Sequence, residues 1–192
     1  MKLAALLMFA TVPVFAVTIT TNTGCTSSAT GVTSTINFNG QAATDPAGYA
    51  TYSGAAFDQG SNPGCGTDWL GLSGGQTTTI TFSKPISYFG LFWGSPDSIN
   101  TLQLFNGSTQ VGSTYTGSVT GAIGSIGDYV NFFADPGEQF TQVILSSSGC
   151  CFESTDDSYI LAGAVTPEPS GYFLVGLVFV GLPILRRKLR SC

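Results

Sequence analysis

Histidine is absent from this chain. Neither a Ser-His-Asp nor a Cys-His nucleophilic arrangement can be assembled without it. The cysteines show no CxxC spacing, so a thiolate metal site is not indicated and no metal is expected from them. Charge is also scarce, at 9% of residues, and cations are scarcest in the middle. Lys84 is the sole Lys or Arg between Val17 and Thr166, while ten of the eleven acids lie in that span, giving a net charge of −9. Nucleic acid and anionic lipid need clustered cations, and a surface this acidic excludes nucleic acid as a partner. No uncharged apolar run reaches the roughly 18 residues of an ordinary membrane span. The nearest is residues 171–185, and between the two termini no stretch has a helical period.

That short run belongs to a three-part tail, TPEPSGYFLVGLVFVGLPILRRKLRSC, residues 166–192. Pro167-Glu168-Pro169 comes first, then the apolar segment 171–185, then a basic tail 186–192 with Arg186, Arg187, Lys188 and Arg190. Fifteen helical residues span roughly 22 Å, so the segment is a marginal transmembrane helix that needs local thinning and snorkelling cations. The cations hold their side in the cytoplasm and leave the chain before Pro167 outside. The two prolines keep a regular helix from running through the triplet, leaving extended backbone at the membrane face.

In this order the triplet, helix and Arg-Arg-Lys resemble the PEP-CTERM sorting signal of Gram-negative bacteria. The resemblance covers only the tail and implies a route rather than an activity. The implied partner is an exosortase, a membrane-embedded protease-transpeptidase that recognises the tail at Pro167, Glu168, Pro169, Arg186, Arg187 and Lys188 and removes it. The precursor would sit in the inner membrane. The mature form would lie at the cell surface or in the extracellular matrix, associated with exopolysaccharide or biofilm.

Residues 1–16 read as a secretory signal peptide. Lys2 starts it, residues 3–12 form an apolar core, and Val14-Phe15-Ala16 offers a small-x-small cleavage site. What remains, residues 17–165, is one domain's worth of chain. Cys25, Cys65, Cys150 and Cys151 fall inside it, as an oxidising compartment would suit, and Cys192 lies beyond the basic cluster. Four cysteines allow three pairings. Cys25–Cys65 is the first expectation, since both lie in Gly-rich loop sequence. It would leave Cys150 and Cys151 as a vicinal pair, and the crossed pairings stay open.

The domain pattern is β throughout. Runs at 17–21, 33–38, 77–82, 86–93, 100–105, 110–115, 129–133, 139–145 and 159–165 are rich in Thr, Val, Ile, Phe and Tyr. Gly, Pro, Asn or Ser clusters bound them. Ile80 with Phe82, and Leu102 with Leu104, would each share a face. Asn106-Gly107 predicts a type I′ hairpin. Residues 40–75 read as loops with one or two short strands, such as 49–52. The expected architecture is all-β: a single jelly-roll-like β-sandwich between the signal peptide and the transmembrane helix.

Chemistry finds few footholds. Asp97, Asp128, Asp135, Glu138, Glu153, Asp156 and Asp157 could in principle supply the carboxylate pair of a glycoside hydrolase. Most sit in turn sequences, such as Ser95-Pro96-Asp97 and Asp135-Pro136-Gly137, where Asp bends backbone. No catalysis and no cofactor are expected. A structural Ca²⁺ held by Asp97 and Asp156-Asp157 is a weaker reading, without EF-hand spacing. The stretch KPISYFGLFWGSPDSINTLQLFNG, residues 84–107, crowds aromatics on one strand and ends in a polar turn. It resembles ectodomains found ahead of PEP-CTERM tails. No activity carries over from that resemblance; an exposed ring beside Asp and Asn side chains is itself what a sugar-binding face needs, which makes Trp69, Trp93, Asp97 and Asn100 candidate carbohydrate-binding residues if the rings are exposed. If the rings are buried, they are sandwich core.

Overall fold

A computed structural model describes residues 17–38, 42–54, 56–59, 65, 68–120, 127–149 and 151–163. The signal segment 1–16 and the sorting tail 166–192 lie outside the described residues. The described residues up to Ala162 fall in one compact unit. Among the described residues no helix is long and apolar enough to cross a membrane.

Eleven strands make the unit: β1 (Val17–Asn22), β2 (Ser34–Ile36), β3 (Ala50–Ser53), β4 (Ala56–Gln59), β5 (Asp68–Leu72), β6 (Thr77–Trp93), β7 (Asn100–Asn106), β8 (Thr109–Thr116), β9 (Asp128–Ala134), β10 (Phe140–Ser147) and β11 (Phe152–Leu161). A 3₁₀ turn, Gly117–Thr120, follows β8. All pairings are antiparallel. The expectation of two sheets gives way here to one continuous sheet, because β6 serves in both halves. Its first part, residues 77–82, lies between β3 and β10, and β7 and β8 continue outward from β10. Its second part, residues 86–93, lies between β9 and β11. β1 flanks β9, while β5 and β2 share the far edge of β11.

The sequence pattern places the break in β6 at Ser83-Lys84-Pro85, yet the strand runs through it. Proline lacks a ladder donor. Pro85 falls where β6 has left β3, last paired at Phe82, and first meets β11 at Ile86. The handover is where a missing N–H costs least. Period-two alternation then sends Ile80 and Phe82, Leu102 and Leu104, and Val143 and Leu145 inward from one half. Phe89, Leu91, Trp93, Val130 and Phe132 come in from the other, and all belong to one cluster. Tyr115 on β8 lies 5.2 Å from Phe132 on β9, although those strands do not pair. The two halves therefore close over a common core, where each large apolar side chain contributes about 1.5–3 kcal/mol.

In the second half the outward face is covered as well. Tyr88, Gly90 and Phe92 are buried along with their inward neighbours. Phe92 and Tyr129 pack with Cys65 and Cys25. A Cβ at Gly90 would overlap the Tyr88 hydroxyl and the Tyr129 ring, so glycine is required there for space. Tyr88 donates to Asn131 Oδ1 at 2.8 Å and also meets Ser27 Oγ. Burial pushes the Tyr88 hydroxyl up to about 12 despite the Ser27 hydrogen bond.

The hairpin turn between β7 and β8 is shifted by one residue from its expected place. Asn106 pairs with Thr109, leaving Gly107-Ser108 as the two-residue loop. Gly107 alone has positive φ (59°), the glycine-first pattern of a type II′ turn rather than type I′. β11 is also longer than expected, starting at Phe152 rather than residue 159.

Candidate functional site

The four residues read as a sugar-stacking platform are not assembled as one. Trp93 is 0% exposed, inward on β6 beside Leu91, and tilts against Phe152 with centroids 4.9 Å apart. Its ring has no open face, and its large apolar area belongs to the core. Asn100 is equally buried and works as a brace. Its Nδ2 donates to the Ser95 carbonyl at 2.9 Å and the Cys151 carbonyl at 3.0 Å, joining two loops. Asp97 shapes the same turn: its carbonyl accepts from Asn100 N at 3.2 Å and Gly117 N at 3.1 Å. Trp69 is half-buried on β5. A coplanar exposed pair beside Asp97 or Asn100 is not found among the described residues.

The acids divide in a way that sequence does not show. Asp157 is 0% exposed and links the two halves of the sheet. Ser154 Oγ donates to its Oδ1 at 2.5 Å, and Tyr52 on β3 donates to its Oδ2 at 2.7 Å. Burial raises its pKa to about 7, against the lowering effect of those two hydroxyls. Asp156 beside it has a positive φ of 51°, where β11 slips register against β6 between Thr155 and Ser158. Burial raises the Asp156 carboxyl too. Asp45 shows the opposite balance. Burial alone would raise it, but hydrogen bonds from Ser34, Ala50, Tyr159 and Ala47 together hold it below the usual carboxylate value. Both Asp157 oxygens are occupied by hydroxyls inside the core. No metal-holding group of acids, cysteines or histidines occurs among the described residues.

The Cys25–Cys65 disulfide is present, with Cα atoms 5.4 Å apart. Cys151 is disulfide-bonded as well. Cys150 and Cys192 lie outside the described residues, as do Pro167, Glu168, Pro169, Arg186, Arg187 and Lys188.

An open concavity lies elsewhere among the described residues, over the outward face of the first half-sheet. It is a groove of about 350 Å³ with Gln76, Thr77, Ser98, Ile99, Thr101 and Ser146 along it. Ile99, 38% exposed, is the one large apolar side chain on the surface among the described residues. The lining side chains are otherwise hydroxyls and an amide, with no ionisable group. The signal for this face is present in the sequence as outward members of the same alternation that places Ile80 and Phe82 inward. A strand reading weighs the apolar members, and so passes over Thr77 and Thr101.

No family model and no curated protein matches this chain. Among solved structures, the catalytic unit of a thermostable GH87 alpha-1,3-glucanase from Streptomyces thermodiastaticus strain HF3-3 is similar at a TM-score of 0.38 and 16% identity. The match covers 64% of this chain and 28% of that one, so the chain spans under a third of that structure's length.

Proposed function

We propose that this is an exported, non-catalytic surface or extracellular-matrix protein, sorted by an exosortase and associated with exopolysaccharide. The precursor enters by its 1–16 signal and is held in the inner membrane by the 171–185 helix. The mature all-β module is then displayed outside. The observation that carries this reading is the order of the chain: a compact, disulfide-bonded β unit runs directly into the Pro-Glu-Pro, apolar and Arg-Arg-Lys tail. A disulfide belongs to a compartment outside the reducing cytoplasm, which supports export. The absence of histidine and the engagement of Asp45 and Asp157 in structural hydrogen bonds support a module without hydrolytic chemistry.

The test is mass spectrometry of the surface protein made in a host with an exosortase. The mature chain is expected to lack residues 1–16 and the Arg-Arg-Lys terminus. Replacing Pro167-Glu168-Pro169 with three alanines is expected to leave the protein in the inner membrane. A surface-exposed protein with an intact C-terminus overturns the processing claim.

A further inference from the structure

The register of the first half-sheet puts hydroxyls in a straight line. Thr77 on β6 is opposite Ser146 on β10, Ser146 is opposite Thr101 on β7, and Thr101 is opposite Thr116 on β8. Four adjacent strands thus present one hydroxyl each in a single cross-strand row, on the face pointing away from the core. Thr77, Ser146 and Thr101 are the floor of the groove, and Ile99 stands beside them. The neighbouring rows are mixed, with hydroxyls and amides beside Ile144 and Phe105: Ser53, Thr79, Ile144 and Gln103, then Thr51, Thr81, Gln142 and Phe105. None of these side chains is ionisable, although residues 17–166 carry a net charge of −9.

We infer that this groove is a binding site for an uncharged, extended polysaccharide lying across β6, β10, β7 and β8. Adjacent strands are about 4.8 Å apart, close to the advance per sugar along an extended pyranose chain. One protein hydroxyl is then available to each successive sugar. Thr77 Oγ1 and Ser146 Oγ are 3.0 Å apart and satisfy one another in the free protein. A hydroxyl has one donor and two acceptor sites, so each keeps capacity for a sugar hydroxyl. The Ile99 side chain, lying against Gly149, offers an apolar surface to the C–H face of a ring.

Charge decides the ligand class. The acidic surroundings repel uronic-acid and sulfated chains, and a neutral chain meets no such barrier. The same net charge opposes face-to-face pairing with a second copy. Protein–protein patches also concentrate aromatic side chains at their centre, and this groove has none. In a matrix protein, the reading on which this proposal rests for its ligand source, neutral exopolysaccharide is at hand.

The experiment uses the full chain in a polyoxyethylene detergent, since an alkyl glycoside would compete. Co-sedimentation is measured with amorphous cellulose, with an insoluble β-1,3-glucan and with an alginate gel. Retention on at least one glucan and none on alginate is expected. The double variant Thr101→Val with Ser146→Ala should lose roughly tenfold in affinity, while Thr101→Ser with Ser146→Thr should retain it. If the double variant has no melting transition, Ser98→Ala, exposed and outside the strands, takes its place with a smaller loss expected. Failure of both glucans to bind, or unchanged binding by the hydroxyl-deleted variant, overturns the proposal. So does loss of self-association, rather than of glucan binding, in that variant; a second copy is then the occupant. Tail cleavage is not read by this assay, so an unprocessed tail leaves the groove standing, and an empty groove leaves the sorting route standing.

Discussion

Asp157 is a carboxyl held inside the core by two hydroxyls and no cation. Its proton is bound more tightly in the folded chain, at about 7, than at the ordinary aspartate value of 3.8. The unfolded state therefore loses the proton first as pH rises. Stability falls through this window by up to roughly 1.4 kcal/mol per pH unit and is flat above it. Asp156 and Glu138, also raised, act in the same direction, while Asp45, lowered, acts only at more acid pH. No histidine competes. Urea denaturation at pH 4.5 and 7.5 should show wild type losing stability between them and Asp157→Asn losing much less. Equal losses in the two proteins would remove Asp157 as the source. At this scale the sequence was least legible. The types of Trp93, Asp97 and Asn100 suggest a polar, sugar-facing site and that of Asp157 a calcium ligand, but whether a ring or carboxyl has a sheet across it depends on strands far away in the chain. Tyr52, for instance, is 105 residues from Asp157.

The strands themselves were largely readable, because alternation is a local property. β7, β8, β9 and β10 are found close to where Thr, Val, Phe and Tyr alternate between turn residues. The early part of β11 was not: Glu153-Ser154-Thr155-Asp156-Asp157 carries no apolar alternation and resembles a loop. It is a strand because β6 and β5 lie on either side and supply its ladder partners. β4, at the sheet edge, and β5, between it and β11, escape the pattern for a related reason, lying within Gly-rich sequence. Gly90 tests how tightly the central strand is packed. Its Cα lies under two tyrosines, and Gly90→Ala forces Tyr88 and Tyr129 to move within a covered face. A loss of about 1–3 kcal/mol is expected from such overpacking, measured as a lower denaturation midpoint at unchanged m-value. Gly137, whose added Cβ would meet nothing but whose φ is +91°, is a poor control; Gly163, with open space and no such φ, is the right one.

For the molecule as a whole, composition already marked an acidic β protein, and the Cys25–Cys65 pairing expected from sequence is present. The groove is not legible there, since it arises from the register of three strands, β6 and β7 being joined through β10. The disulfide ties the segment after β1 to the loop before β5, across a separation of 40 residues. Closing a loop of that length restricts the unfolded chain by about 4 kcal/mol in the chain-entropy account. Cys25→Ser with Cys65→Ser should lower stability by a comparable amount in oxidising buffer. The double variant leaves the Cys151 bond alone, as reductant would not. An unchanged melting temperature would show that the covered face of β6 holds without its clasp.

β11 lies between β6 on one side and β2 and β5 on the other, although it is the last described strand to leave any machinery that feeds the chain from its N-terminus. Until residue 161 has emerged, β6 keeps an open edge and β2 has nothing to pair with. Productive folding is thereby deferred to the end of delivery, and its long-range pairings place it among slow, topologically complex folders. On the export route proposed above, a secretion pore would handle a slack thread, with the tertiary structure snapping shut only on the far side.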